Sequence, residues 1–250
     1  MPAPDLWRTA ARALSPDAAG VSDADLLARF RDARDEAAFE LLVYRHGQMV
    51  WATCRRLLRE GPAAEDAFQA TFLALARRAR SVRTRSVPAW LHRVAARAGL
   101  YLLRQAHRRS VLPGPHADAI DPRPGPADRA AGADAAAHID AAVDRLPDRL
   151  RRVVVLCELR GLSLREAAAE LRCPVGTVAS RLARARARLR EVLSARGLAG
   201  GTAGGWAVAE SVPQAVRAAA LKAAGGTGVR PGVAALAARA GRPAARRSSH

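Results

Sequence analysis

The sequence predicts an all-α protein, with two helical domains joined by a flexible linker and followed by a low-complexity C-terminal extension. Three observations point there. Apolar residues return at intervals of three and four through most of the chain, which is the period of one helix face. Residues 161–190 hold two such stripes separated by a break at Pro174. Between Val111 and Ala137 the composition shifts to proline, glycine, alanine and aspartate, which suits a linker and not a packed element.

Residues 1–21 form a Pro/Ala-rich lead without a firm structural signal. From Ser22, a candidate N-cap, Leu26, Leu27, Phe30, Phe39, Leu42, Val43, Val50, Cys54 and Leu57 keep helical spacing. Polar residues near Ala33 to Asp35 divide them into two helices, and Gly61-Pro62 ends the unit. A third helix follows, with Ala67, Phe68, Phe72, Leu73, Leu75 and Ala76 on its apolar face. Glu65, Asp66, Gln69 and Thr71 sit in its first two turns, where acids complement the positive end of the helix dipole. That complementarity alone accounts for the acids; a surface for a partner is the other reading.

The segment Arg77–Arg109 contains ten arginines and no acidic residue. Ser86 to Pro88 mark the start of its helix, and Trp90, Leu91, Val94, Ala95, Ala98, Tyr101 and Leu102 form the buried stripe. Solvated helices intersperse acid and base, so ten like charges repel unless something anionic neutralises them. Trp90 has two readings, a core anchor or a platform for an unpaired base.

After the linker, with Asp118, Asp121, Asp128 and Asp134, a second helical unit starts near His138. Ile139, Ala142, Val143 and Leu146 precede a turn at Leu146-Pro147; Leu150, Val153, Val154, Leu156, Cys157 and Leu159 then lead to Gly161, a C-cap. Ser163 and Glu166 make a capping box for a stripe of Leu164, Ala167, Ala168 and Leu171. Arg172-Cys173-Pro174 breaks it, and Val175, Val178, Leu182, Ala185 and Leu189 form the last stripe, with Arg181, Arg184, Arg188 and Arg190 off it. A short helix, a tight turn and a longer arginine-studded helix is the layout of a helix-turn-helix, whose second helix enters a DNA major groove. After Arg196, Gly-rich breaks isolate two short helical patterns, Val212–Ala224 and Val233–Ala240, which are either disordered or folded against a partner.

A net charge of +18 and a pI near 11.6 call for a polyanionic partner, nucleic acid first and an anionic membrane surface second. Lys222 is the sole lysine in this arginine- and alanine-rich chain, so the position of charge tells more than its total. Cys54, Cys157 and Cys173 lie far apart without C-x-x-C spacing, which argues against a disulfide framework or a zinc site and for small buried residues in a reducing cytoplasm. The N-terminus lacks a signal-peptide pattern, and no run of 18 or more apolar residues would span a membrane. Six scattered histidines, with no nucleophile–base pair, phosphate loop or ligand cluster, argue against an enzyme; no catalytic residue, metal or cofactor is expected.

With both units in view, the chain resembles the bacterial extracytoplasmic-function (ECF) sigma factors, the small two-domain sigma subunits of RNA polymerase in the sigma-70 family. The resemblance runs from about Ala24 to Arg190. Glu65-Asp66-Ala67-Phe68-Gln69-Ala70-Thr71-Phe72-Leu73-Ala74-Leu75 is similar to region 2.2, the polymerase contact, although Ala70 stands where many members have Glu. Pro88-Ala89-Trp90-Leu91-His92-Arg93-Val94-Ala95 resembles the segment that meets the −10 element, and Cys173 to Leu182 the start of the region 4 recognition helix. The Phe68-to-Phe72 variant and the Ala-rich extension after Arg196 resemble the planctomycete-type branch.

The resemblance implies region 2 over residues 22–110, a linker over 111–137, region 4 over 138–196 and an extension over 197–250. It implies that Glu65, Asp66, Phe68, Gln69 and Phe72 dock on the β′ coiled coil, so that Phe72→Ala or Asp66→Arg weakens polymerase binding with the fold largely intact. Arg83, Arg85, Trp90, Arg93, Arg97 and Arg104 would bind the −10 element and hold its opened strand; Arg165, Thr177, Ser180, Arg181 and Arg184 would bind the −35 element. The implied partners are the polymerase core enzyme, through β′ and β, and promoter DNA, with an anti-sigma factor left open as a third. The polymerase supplies the active site, so no chemistry is asked of this chain. Two other readings stand beside this one: a stand-alone helix-turn-helix regulator, which explains residues 138–190 equally well, and a nonspecific DNA packager, which rests on charge alone.

Overall fold

The computed structural model describes residues 21–58, 61–80, 82, 86–110, 137–197 and 211–242. The lead, the linker over 111–136, and Arg83 and Arg85 lie outside the described residues. What is described is helical, with no strand among those residues. The first domain is built from α1 (Asp23–Ala33), α2 (Glu36–Leu57), α3 (Gly61–Arg78) and α4 (Val87–Ser110). The second consists of α5 (residues 137–145), α6 (Asp148–Val154), a π turn (Val155–Leu159), α7 (Leu164–Leu171) and α8 (Val175–Ser194). Two short helices follow, α9 (Gln214–Ala224) and α10 (Pro231–Ala240).

Local chemistry sets the boundaries. The Ser22 hydroxyl accepts from the Asp25 N–H at 3.2 Å and starts α1. Arg34, with φ 55°, ends it, and Asp35 caps α2 by accepting from Ala38 N–H at 3.0 Å. The expected break at Ala33 to Asp35 is therefore one left-handed residue followed by one cap. Between α5 and α6, the buried Arg151 guanidinium donates to the carbonyls of Asp144 (3.1 Å) and Leu146 (2.9 Å), satisfying acceptors a helix end leaves open. Gly161, with φ 69°, takes the chain out of the π turn at the predicted stop.

The capping box forms as its sequence demands. The Ser163 hydroxyl accepts from Glu166 N–H at 3.3 Å while the Glu166 carboxylate accepts from Ser163 N–H at 2.8 Å. Ser163→Ala removes the first of these bonds, a loss of about 1 kcal/mol. Amide exchange in α7 is expected to rise about fivefold, read by hydrogen-exchange mass spectrometry, with α2 unchanged.

The first core centres on aromatic rings. Phe30 and Phe39 lie 4.6 Å apart by ring centroids, Phe68 and Phe72 5.0 Å, and Trp51 meets Phe68 edge-on at 5.9 Å. α2 and α4 approach closely because Gly99 faces Leu57; a side-chain carbon at Gly99 would sit 2.7 Å from the Leu57 Cδ1. The second core collects Ile139, Val143, Leu146, Val153, Val154, Leu156, Val178, Leu182 and Leu189. Val155 belongs to the first core and Leu156 to the second, so the π turn lies on the seam between the domains.

The two domains are joined by charge as well. Asp140 of α5 is fully buried and receives Arg56 of α2 twice, at 2.7 and 3.0 Å, and His92 of α4 at 3.0 Å. The extension departs most from expectation. Val212, Val216, Ala220, Val233, Leu236, Ala237 and Ala240 join the first core, so α9 and α10 fold back onto their own chain.

Candidate nucleic-acid interface

In α8, Val178, Leu182, Ala185, Leu189 and Leu193 are buried at spacings of four, three, four and four. That stripe turns the remaining faces outward. Ser180 and Arg184 are exposed, and Thr177 and Arg181 half-buried. Ser180 donates to the Thr177 carbonyl at 3.1 Å and receives Arg184 at 3.4 Å, so these three line one face. Arg181 leans back over the turn, its guanidinium 3.9 Å from the Cys173 sulfur. Arg165 is exposed on α7.

The turn is made by Arg172 at φ 51° and by Pro174, which precedes α8 without a side-chain cap. Leu164 and Val175, expected in the buried stripes, are 37% and 44% exposed. Each is the first residue of its helix, where the stripe has not yet turned inward. Arg160 with Glu170 (2.9 Å) and Arg186 with Glu158 (2.8 Å on the Nε side) tie the module's flanks and leave the Thr177–Arg184 face uncompensated. This face is cationic and polar, suited to phosphates and base edges.

The second surface is on α4. Trp90 is half-buried and packs against the first core, consistent with an anchor that keeps part of its ring in solvent. Arg104 is exposed. Arg93 and Arg97 are not without acid, as their segment suggests. Arg93 donates to the Asp144 carboxylate at 2.7 Å, and the Arg97 Nε lies 3.5 Å from its other oxygen. The segment is acid-free, but the fold supplies the acid from α5. Asp140 and Asp144 lie four residues apart on α5, and Asp144 alone takes both arginines while Asp140 turns to Arg56 and His92; no local pattern in the sequence marks these long-range pairings. Tyr101, Gln105, Arg108 and Arg109 line an open cleft together with Arg239 of α10.

The third surface is α3. Glu65 and Asp66 are half-exposed in its first turns, and Gln69 is 9% exposed. Phe68 and Phe72 are fully buried in the aromatic cluster. The expectation that Phe72 could be truncated with the fold largely intact is therefore corrected: its ring is fully buried against Phe39 and Phe68. Asp66 pairs with Arg230, from the segment between α9 and α10. Burial pushes the Asp66 carboxyl above its ordinary value, and Arg230 pulls against that. Asp140 goes the other way: burial raises it, but Arg56 and His92 outweigh burial and hold it below the usual carboxylate range.

Among the described residues, no group of three or more His, Cys, Asp or Glu side chains could hold a metal ion, and no helix is long and apolar enough to cross a membrane. Cys54 is buried, and burial pushes its thiol well up.

Two family models match the chain, Sigma-70 region 2 over residues 42–109 and Sigma-70, region 4 over residues 137–189. The chain is 39% identical over 173 residues to the ECF RNA polymerase sigma factor SigM of Mycobacterium tuberculosis, covering 69% of this chain and 85% of that one. It is 33% identical to the ECF RNA polymerase sigma-E factor of Escherichia coli, covering 61% of this chain and 84% of that one. Among solved structures, CnrH in complex with the cytosolic domain of CnrY is 29% identical, with a TM-score of 0.33, covering 69% of this chain and 97% of that one. With region 2 on α2–α4 and region 4 on α5–α8, in that order, and with these relatives, the chain belongs to the ECF RNA polymerase sigma factors of the sigma-70 family.

Proposed function

We propose that this sigma factor brings core RNA polymerase to promoters by three surfaces and assists their opening, with no covalent chemistry of its own. The observation that carries the residue-level reading is the face of exposed Ser180 and Arg184 with half-buried Thr177 on the helix that region 4 matches. That face enters the major groove at the −35 element, with Arg181 and Arg165 beside it on phosphate. The uncapped start of α8 leaves backbone N–H groups available to a phosphate as well.

At the −10 element the exposed Arg104 and the half-buried Trp90 and Arg97 on α4 meet DNA, joined by Arg83 and Arg85 on sequence grounds. Arg93 and Arg97 exchange Asp144 for phosphate when the domains spread along the promoter. α3 docks on the polymerase β′ subunit through Glu65, Asp66 and Gln69, while Phe68 and Phe72 hold it in place from inside. The remaining partners are the β subunit and an anti-sigma factor, and the setting is the cytoplasm, where core polymerase works.

The test is binding of the full chain to core polymerase, followed by footprinting of the complex on a promoter. Arg184→Ala is expected to weaken protection of the upstream element about tenfold, within the 1–3 kcal/mol of a good base contact, with core binding unchanged. A palindromic footprint formed without polymerase would replace this reading with a stand-alone regulator.

A further inference from the structure

The polymerase-facing helix is not free in this structure. From Ala64 to Ala76, α3 is buried around nearly its whole circumference except at Glu65 and Asp66. A helix packed only on α2 and α4 would keep a solvent face. The other face of α3 is taken by α9 and α10. Val212 reaches the floor beside Phe68, since a side-chain carbon at Gly47 would lie 3.7 Å from Phe68 and 3.8 Å from Val212.

Two of the polar contacts fall on groups already assigned to partners, Asp66 and Arg97. Arg230 pairs with Asp66, Arg77 donates to the Ala234 carbonyl at 3.5 Å, and Arg97 donates to the Arg242 carbonyl at 2.7 Å. Arg239 stacks on the Tyr101 ring of α4 at 4.5 Å.

We propose that the α9–α10 hairpin is an internal competitor for the polymerase, seated on α3 and displaced when the β′ subunit binds. The inference rests on the reading of α3 as the polymerase contact. Asp66 cannot serve Arg230 and a polymerase cation at once, and α3 cannot lie against a coiled coil while α10 covers it. The seat is built for release. Ala220, Ala223, Ala237 and Ala240 form much of the buried seam, and alanines bury little area each. A cleft stays open between Phe39, Leu73 and Ala76 on one wall and Leu221, Ala224 and Val229 on the other. Residues 211–242 contain Arg217, Lys222, Arg230, Arg239 and Arg242 and no acid, so the cationic hairpin is drawn to Glu65 and Asp66 of α3. A closed fraction lowers apparent affinity by the fraction open, so a closed form favoured tenfold weakens polymerase binding about tenfold.

The experiment measures affinity of the full chain for core RNA polymerase by fluorescence anisotropy. Val233→Asp combined with Leu236→Asp should undock the hairpin and tighten binding about tenfold. Arg230→Glu, on the exposed rim and safe for the fold, should tighten it about threefold. Hydrogen exchange would report faster exchange in α9 and α10 with α2 still protected. Undocking by that criterion with unchanged or weaker affinity would overturn the proposal and make the hairpin an ordinary part of the domain. Absence of binding by every variant, the undocked one included, would overturn the reading of α3 itself.

Discussion

Phe72→Ala is expected to destabilise the first domain by about 3–5 kcal/mol, the range for truncating a buried phenylalanine. The ring is fully buried between Phe68 and Phe39, so its removal opens a cavity at the centre of the aromatic cluster, where α2 and α3 meet. The neighbouring helices cannot collapse into it easily, since α3 is held from both sides by α2 and α4 and by the hairpin. Denaturant unfolding followed by circular dichroism would show the midpoint falling with little change in slope. Asp66→Arg, at a half-exposed position, should leave the midpoint nearly unchanged and weaken polymerase binding. Were Phe72→Ala to keep the midpoint and lose polymerase binding, Phe72 would be a contact and not core.

Asp140→Ala should cost a similar 3–5 kcal/mol, the usual loss when one member of a buried charge cluster is removed. Arg56 and His92 would then stay buried without this counter-charge, and α5 would lose its charged tie to α2, keeping the Asp144 pairing with Arg93 and Arg97 of α4. The acid dependence follows from the same group. Its folded-state carboxyl titrates below the unfolded one, so the stabilisation is present above the unfolded value, about pH 3.9, and is lost as pH falls through the folded value. Asp23 adds the same sign: burial raises it, yet His46, Arg160 and Arg45 hold it well below the usual range. Stability measured from pH 2 to 7 should therefore fall on the acid side, and Asp140→Ala should flatten part of that fall.

The helices and the helix-turn-helix were legible because their signals are local. A cap, a capping box and a stripe at helical spacing need only neighbours within one or two turns, and Ser22, Ser163 and Glu166 act where the sequence puts them. The π turn was not legible, because Val155 and Leu156 continue an apolar run that an α-helix would bury equally well. Pairings across the chain were hidden for another reason. Asp144 meets Arg93 at a separation of 51 residues and Arg230 meets Asp66 at 164, distances over which no periodicity operates. The α3 face shows the same limit. Its apolar residues lie on more than one side, which marks burial on both sides, yet the second partner is the alanine-rich hairpin at the far end of the chain. Phe68 and Phe72 are buried as their place on the apolar face predicts, whereas the docking role came only from the resemblance, which says nothing of burial.

The most direct test of the account is run-off transcription with core polymerase, using a library of promoter fragments and start-site mapping. The full chain and the Val233→Asp/Leu236→Asp variant should both direct initiation from the same few starts, the variant at lower protein concentration. If neither produces defined starts above core polymerase alone, this chain does not act as a sigma factor and the account fails at its centre.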